Sequence, residues 1–214
     1  MDGSPVQRKG AEKGMARHSD QIYDELLVLR CQDGESAALE ELVERWHERF
    51  RRHALRLSAS PEAAGDAVQE AWIAIVRGLG KLHDPAFFRP WAYRIVTHKC
   101  ADQARRVSRR REVTEEIGRS MDLEAAVDPG DSDEPSEITA LRSAMASLPA
   151  DRRALLALHY LEELGVREIA TVLDIPEGTV KSRLFNARRA LKKVLEQKTQ
   201  KKVGSKEIGR KENR

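Results

Sequence analysis

Aromatic residues make up only 5% of this 214-residue chain. Runs of β-branched and aromatic residues are scarce, which leaves little from which to build a sheet. Ala, Leu, Glu and Arg dominate instead and favour helix. There are two cysteines, Cys31 and Cys100, far apart in sequence. They make no disulfide framework, which points to a reducing compartment. No apolar run approaches the roughly 18 residues of a membrane span. The first nineteen residues hold charges but no apolar core, unlike a secretory signal. The expectation is an all-α, cytoplasmic protein with no membrane partner.

Charge, by contrast, is abundant and segregated. Charged residues are 34% of the chain and the net charge is only +3. Between Glu112 and Glu137 there are ten acids and one base, Arg119, a net charge of −9. From Arg188 to Arg214 there are eleven bases and three acids, a net charge of +8. With Pro129-Gly130 and Pro135, residues 112–136 read as an acidic linker. The organisation follows: a disordered tail at 1–19, a helical domain at 20–111, the linker, a second helical domain at 137–196 and a basic tail at 197–214.

The first domain shows helical periodicity. Ile22, Leu26 and Leu29 fall on one face. Leu39, Leu42, Val43, Trp46, Phe50, Ala54 and Leu57 follow three-four spacing. Ser60-Pro61 is a helix start, and Ala64, Ala67, Val68, Ala71, Trp72, Ile75 and Leu79 form the next stripe up to Gly78 and Gly80. After Asp84-Pro85, Phe88, Trp91, Ile95 and Cys100 line a helix reaching about Arg110. In the second domain Ile138, Leu141, Met145 and Leu148 form a stripe broken at Pro149.

Residues 166–191 fit a helix-turn-helix. Ile169, Ala170 and Leu173 point inward from the first helix, and Val180, Leu184, Ala187 and Leu191 from the second. Asp174-Ile175-Pro176 makes the turn, with Asp174 able to adopt a left-handed conformation and Pro176 suited to a first helical turn. Glu177, Gly178, Thr179, Lys181, Ser182, Arg183, Asn186 and Arg189 are left outward or flanking. Arg and Lys can bond guanine O6 and N7, Asn can pair with adenine, and Glu can accept from cytosine. Base-reading side chains are expected in the N-terminal part of such a helix.

The run from Leu148 to Leu191 resembles region 4 of the sigma-70 family, in its extracytoplasmic-function (ECF) group. The matching pieces are Leu148-Pro149, Glu168-Ile169-Ala170, Gly178 through Arg183 and Ala187-Arg188. Upstream, Asp66-Ala67-Val68-Gln69-Glu70 resembles the acidic segment of region 2.2. In the family that segment docks on the polymerase beta-prime clamp, and Asp66, Gln69 and Glu70 share a helix face that could pair with a partner's Arg. The run from Phe88 to Arg111 resembles regions 2.3 and 2.4 through Trp91, Arg94-Ile95, His98, Asp102, Arg105 and Arg106. Its basic residues suit phosphates.

The resemblance implies a transcription initiation factor without catalysis or cofactor. It would bind core RNA polymerase at the beta-prime clamp and beta flap. It would recognise the −35 element through the recognition helix, and contact and help open the −10 element through Arg94, His98, Lys99, Asp102, Arg105 and Arg106. The loop Gly78–Phe87 would join the pocket for an extruded base, whose unstacking protein contacts must offset. The acidic linker would thread towards the active site and RNA exit channel. An anti-sigma factor is a candidate partner. Trp91, Trp72 and Trp46 read as core rather than as stacking platforms. Gly65, His98, Asp174 and Pro176 depart from the family pattern, and His98 bears on −10 preference.

Three rival readings differ in class, one of them a helical adaptor that uses its charged faces only for protein contacts. A metal centre or enzyme finds no support in spacing: His98 and Cys100 form no zinc pattern with His47, His53 or His159. His53 and His159 read as helix-surface or partly buried residues. An autonomous helix-turn-helix regulator would explain residues 166–191 and the basic tail, but not Asp66–Glu70 together with Trp91–Arg106.

Overall fold

In a computed structural model, which describes residues 5–115 and 136–211, the periodic stripes become helices and no strand occurs among the described residues. The first half holds α1 (Pro5–Gln32), α2 (Ser36–Leu57), α3 (Pro61–Leu79), a one-turn 3-10 helix (Pro85–Phe87) and α4 (Phe88–Glu115). The second holds α5 (Ser136–Ala146), α6 (Ala150–Tyr160), α7 (Val166–Leu173) and α8 (Glu177–Lys211).

Local chemistry sets several boundaries. Ser60 Oγ accepts from the Ala63 N–H at 3.2 Å, and Pro61 fills the first position of α3. Asp84 caps the 3-10 turn by accepting from the Ala86 N–H at 3.0 Å. Pro149 stands at the start of α6, and Pro90 lies in the first turn of α4, where its missing N–H costs nothing.

All seven expected stripe residues of α3 are buried. On α2 the buried set is Ala38, Leu42, Trp46, Phe50, His53 and Ala54. Most of the chain's few aromatics gather in one cluster. Phe50 lies 5.5 Å from Trp46, 5.4 Å from Trp72 and 5.3 Å from Tyr93 between ring centroids. Phe88 meets Trp46 edge-on at 5.6 Å. Such pairs each add about 0.5–1.5 kcal/mol beyond burial.

The structure corrects several expectations. Ile22, Leu26 and Leu29 do share a face of α1, but it is the exposed one, about half accessible. Leu27 and Val28 go inward instead, with Tyr23 hydrogen-bonded to Glu41. The expected tail at 1–19 is helical from Pro5 onward, since residues 5–18 are mostly good helix formers that extend an existing helix at low cost. For the same reason α8 continues through most of the expected basic tail, to Lys211. In α4, Phe88, Ala92, Tyr93, Val96 and Cys100 are buried, and Trp91 and Ile95 only partly. In α5, Leu141 is exposed and Ala144 buried. Most of the acidic linker, 116–135, lies outside the described residues.

His53, expected at or near the surface, is fully buried. Its Nε2 sits 3.0 Å from Thr97 Oγ1. Burial, with Arg56 second, lowers its pKa from 6.5 to about 3. Below pH 6.5 the unfolded chain takes up a proton that the native chain refuses. Native stability therefore falls with acidity from about pH 6.5 down towards 3, by up to about 1.4 kcal/mol per pH unit. Unfolding of the native chain and of His53→Gln, compared between pH 7.5 and 5.5, should show the steeper loss in the native chain. Equal slopes would remove His53 as the cause.

Candidate nucleic-acid interface

The helix-turn-helix is built from α7 and the start of α8. Glu168 Oε2 accepts from the Gly165 N–H at 2.7 Å and secures the start of α7. Ile169 and Val172 are buried, with Ala170 and Leu173 partly so. Asp174 takes the left-handed conformation, φ 55° and ψ 47°, and the Ile175 N–H reaches back to the Ala170 carbonyl at 3.1 Å. Pro176 stands one residue outside α8 rather than in its first turn, and its carbonyl accepts from Thr179 and Val180.

Val180, Leu184 and Ala187 are buried, and Leu191 partly. That leaves Glu177, Gly178, Lys181, Ser182, Arg183, Asn186 and Arg189 exposed, with Thr179 half-buried. The Ser182 hydroxyl donates to the Thr179 carbonyl at 3.0 Å, which turns its donor back to the helix. One residue was missed: Phe185 is 58% exposed, on the face that carries Lys181, Ser182 and Arg189. The Arg189 guanidinium lies 5.7 Å above its ring. An aromatic one position after the inward Leu184, in a chain with so few, was the available signal.

The second basic surface is α4. His98, Arg105, Arg106 and Arg109 are exposed, and Arg94, Lys99 and Asp102 half-buried. Residues expected to serve two different partners meet here. Glu70, on α3, accepts from Arg106 at 2.7 Å and from Lys99 at 3.2 Å. Arg106 foremost holds the Glu70 carboxyl below its usual range. Asp102 pairs with Arg105 at 2.7 Å, which lowers its carboxyl likewise. Asp66 and Gln69 lie on the exposed side of α3. Glu70 thus orients two cations of α4, while Asp66 and Gln69 face outward. Exposed Ile73 and Val76 extend that face of α3.

The loop between α3 and α4 is tethered by Gln32, whose amide donates to the carbonyls of Leu79 at 2.9 Å and Leu82 at 2.8 Å. Phe87 is exposed in this loop. Trp91 packs on α3: a Cβ added at Gly78 would lie 2.9 Å from its ring, so only glycine permits the approach. Cys100 is buried, which pushes its thiol up to about 11, whereas His98 is exposed. Among the described residues no cluster of metal-ligating side chains occurs, and no helix is long and apolar enough to cross a membrane.

Comparison with known proteins agrees with this geometry. Family models for sigma-70 region 2 and sigma-70 region 4 match residues 42–110 and 138–191. The RNA polymerase sigma-H factor of Pseudomonas aeruginosa is 33% identical over 184 residues, 82% of this chain and 95% of that protein. The ECF RNA polymerase sigma-E factor of Escherichia coli is 31% identical over 183 residues, 81% of this chain and 94% of that protein. Among solved structures, the sigma factor RpoE of Bartonella quintana, in complex with the anti-sigma factor NepR, is similar with a TM-score of 0.59 and 22% identity. The match covers 74% of this chain and 96% of that one. CnrH, in complex with the cytosolic domain of CnrY, gives 0.57 and 22%, covering 81% and 97%.

Proposed function

Because the chain belongs to the sigma-70 family, in its extracytoplasmic-function group, and is thereby an RNA polymerase sigma factor of transcription initiation, we propose a specific division of labour among its helices. The exposed residues at the start of α8 read the −35 element. The basic face of α4 holds the −10 element and assists its opening. Asp66 and Gln69 on α3 dock on the polymerase clamp, and the second half docks on the beta flap. The chain performs no catalysis itself and works where RNA polymerase works, in the bacterial cytoplasm.

One observation carries this reading. A helix-turn-helix with seven exposed candidate readers coexists with a separate basic helix braced by Glu70. An autonomous regulator needs only the first. Phosphate contacts from α4 would supply position and affinity, and side chains of α8 would supply sequence choice. Phe185 adds an apolar contact suited to a thymine methyl. The solved relative bound to an anti-sigma factor supports an inhibitory protein partner for this chain as well.

The test is co-purification with bacterial core RNA polymerase. The double variant Asp66→Ala/Gln69→Ala, which leaves the Glu70 cluster intact, should weaken core binding at least about ten-fold, a loss of about 1.4 kcal/mol. Glu70→Gln should keep most core binding and instead alter the hold of α4 on DNA. A native chain that binds promoter DNA as a symmetric dimer, and never core polymerase, would establish the autonomous regulator.

A further inference from the structure

Gln32 is the last residue of α1, and its side chain serves a loop far along the chain. Its amide nitrogen donates to two carbonyls at once, that of Leu79 at 2.9 Å and that of Leu82 at 2.8 Å. Carbonyl oxygens only accept, so both bonds demand the nitrogen side of the amide. Leu79 closes α3, where the last carbonyls of a helix lack intrahelical donors. A residue 47 and 50 positions upstream supplies them.

The end of α1 is itself held. Gly34 takes a left-handed backbone, φ 90°, and the Glu35 N–H returns to the Arg30 carbonyl at 3.0 Å. Arg30 and Glu35 also pair at 2.7 Å across this turn. Gln32 is therefore presented, half-buried, from a fixed turn.

The loop it holds is anchored inward and dressed outward. Leu79 is buried and Leu82 packs against the core. The N–H groups of Lys81 and Leu82 bond back to the Gly78 and Leu79 carbonyls at 2.9 and 3.1 Å. Lys81, His83 and Phe87 are exposed, and Phe87 directly precedes α4 with its basic surface. An exposed ring beside a cation suits an unpaired nucleobase, which stacks on an aromatic face and carries its own phosphate. Ordering a loose loop on binding would consume part of that interaction, whereas a loop fixed beforehand avoids the loss.

We propose that Gln32 is a positioning residue for promoter opening. By holding the Leu79 and Leu82 carbonyls it presets the loop between α3 and α4, so that Lys81, His83 and Phe87 meet an unpaired base of the −10 strand. The inference rests on the −10 role proposed for α4, and it adds a residue of α1 that acts only through the loop.

The experiment compares the full native chain with Gln32→Met, which keeps the length of the side chain and removes its donors. Gln32→Glu is a second variant, which sets a carboxylate against the two carbonyls. Circular dichroism checks that each is folded. In the free variants, amide exchange at Lys81 and Leu82 should be about ten-fold faster, as the loop opens locally. The polymerase-bound chains are then measured on two probes. One is a single-stranded oligonucleotide carrying a −10 element selected from a randomised pool, and the other is a duplex carrying only a −35 element. Loss of two hydrogen bonds predicts roughly ten-fold weaker binding to the single strand. Binding to the duplex and to core polymerase should not change. Phe87→Ala should weaken the single strand too, and Gln32→Met/Phe87→Ala should lose no more than the worse single variant, since both act on one contact. Additive losses would overturn the positioning role. Equal losses on strand, duplex and core would make Gln32 a residue of general stability and overturn it as well. Unchanged exchange and unchanged strand binding in both folded variants would do the same. A native chain that binds core polymerase but no −10 strand would instead defeat the functional reading, while amide exchange still judges the tether.

Discussion

Replacing Phe50 by Ala should remove about 3–5 kcal/mol of stability, the cost of deleting a fully buried aromatic side chain. Phe50 has no exposed surface and touches Trp46, Trp72 and Tyr93 at once, so it joins α2, α3 and α4. Domains of this size hold only about 5–15 kcal/mol in total. The variant should therefore be close to unfolding at physiological temperature. Few other large side chains are present to collapse into the space, because the chain has only four Phe, three Tyr and three Trp. Denaturant titration of the native chain, Phe50→Leu and Phe50→Ala would measure the loss. Phe50→Leu should fall between the two. A loss under about 1 kcal/mol for Phe50→Ala, well below the range for such substitutions, would mean that the cluster is not the keystone of the first half. The functional consequence follows from position. The same packing sets α3 beside α4 and so brings Glu70 to Lys99 and Arg106.

Arg183→Ala should weaken recognition of the −35 element by roughly 1–3 kcal/mol, about five- to 150-fold, if the guanidinium bonds a base edge. Arg183 is exposed in the second turn of α8, and its neighbour Leu184 is buried, so the side chain is directed by a fixed backbone. The measurement uses duplexes selected from a randomised pool by the polymerase-bound chain, against scrambled controls, at constant salt. Base reading predicts a loss confined to selected duplexes and relaxed preference at one position. An equal loss on every duplex, with a shallower salt dependence, would assign Arg183 to a phosphate.

Much of the site was legible because the motifs are local. Residues 166–191 carry their own hydrophobic spacing, turn and outward set, and every inward residue named there is buried or partly buried. The left-handed Asp174 was likewise readable, since few residue types tolerate that backbone. Phe185 is less legible because a phenyl ring has no hydrogen-bonding group to mark it as a base contact. The α1 error has a different origin. Ile22, Leu26 and Leu29 and the set Tyr23, Leu27 and Val28 both satisfy helical spacing, so periodicity cannot say which face turns inward. His53 is harder to place for a similar reason: a polar tip disguises a ring body that a core can accept once a partner is supplied.

By itself, the sequence determined the all-α class, most helix boundaries, the inward stripe of α3, the helix-turn-helix and the segregation of charge. These depend on spacings within one helix or one turn, where a residue's neighbours are its neighbours in the chain. Only the tertiary structure decided that Glu70 braces Lys99 and Arg106, 29 and 36 positions away. Only it decided that Glu162 is buried against Tyr93, 69 positions upstream, and that Asp174 meets Arg94. Ion pairs between distant segments leave no period in the sequence. They arise when apolar packing brings two helices together and buries charges that must then be paired.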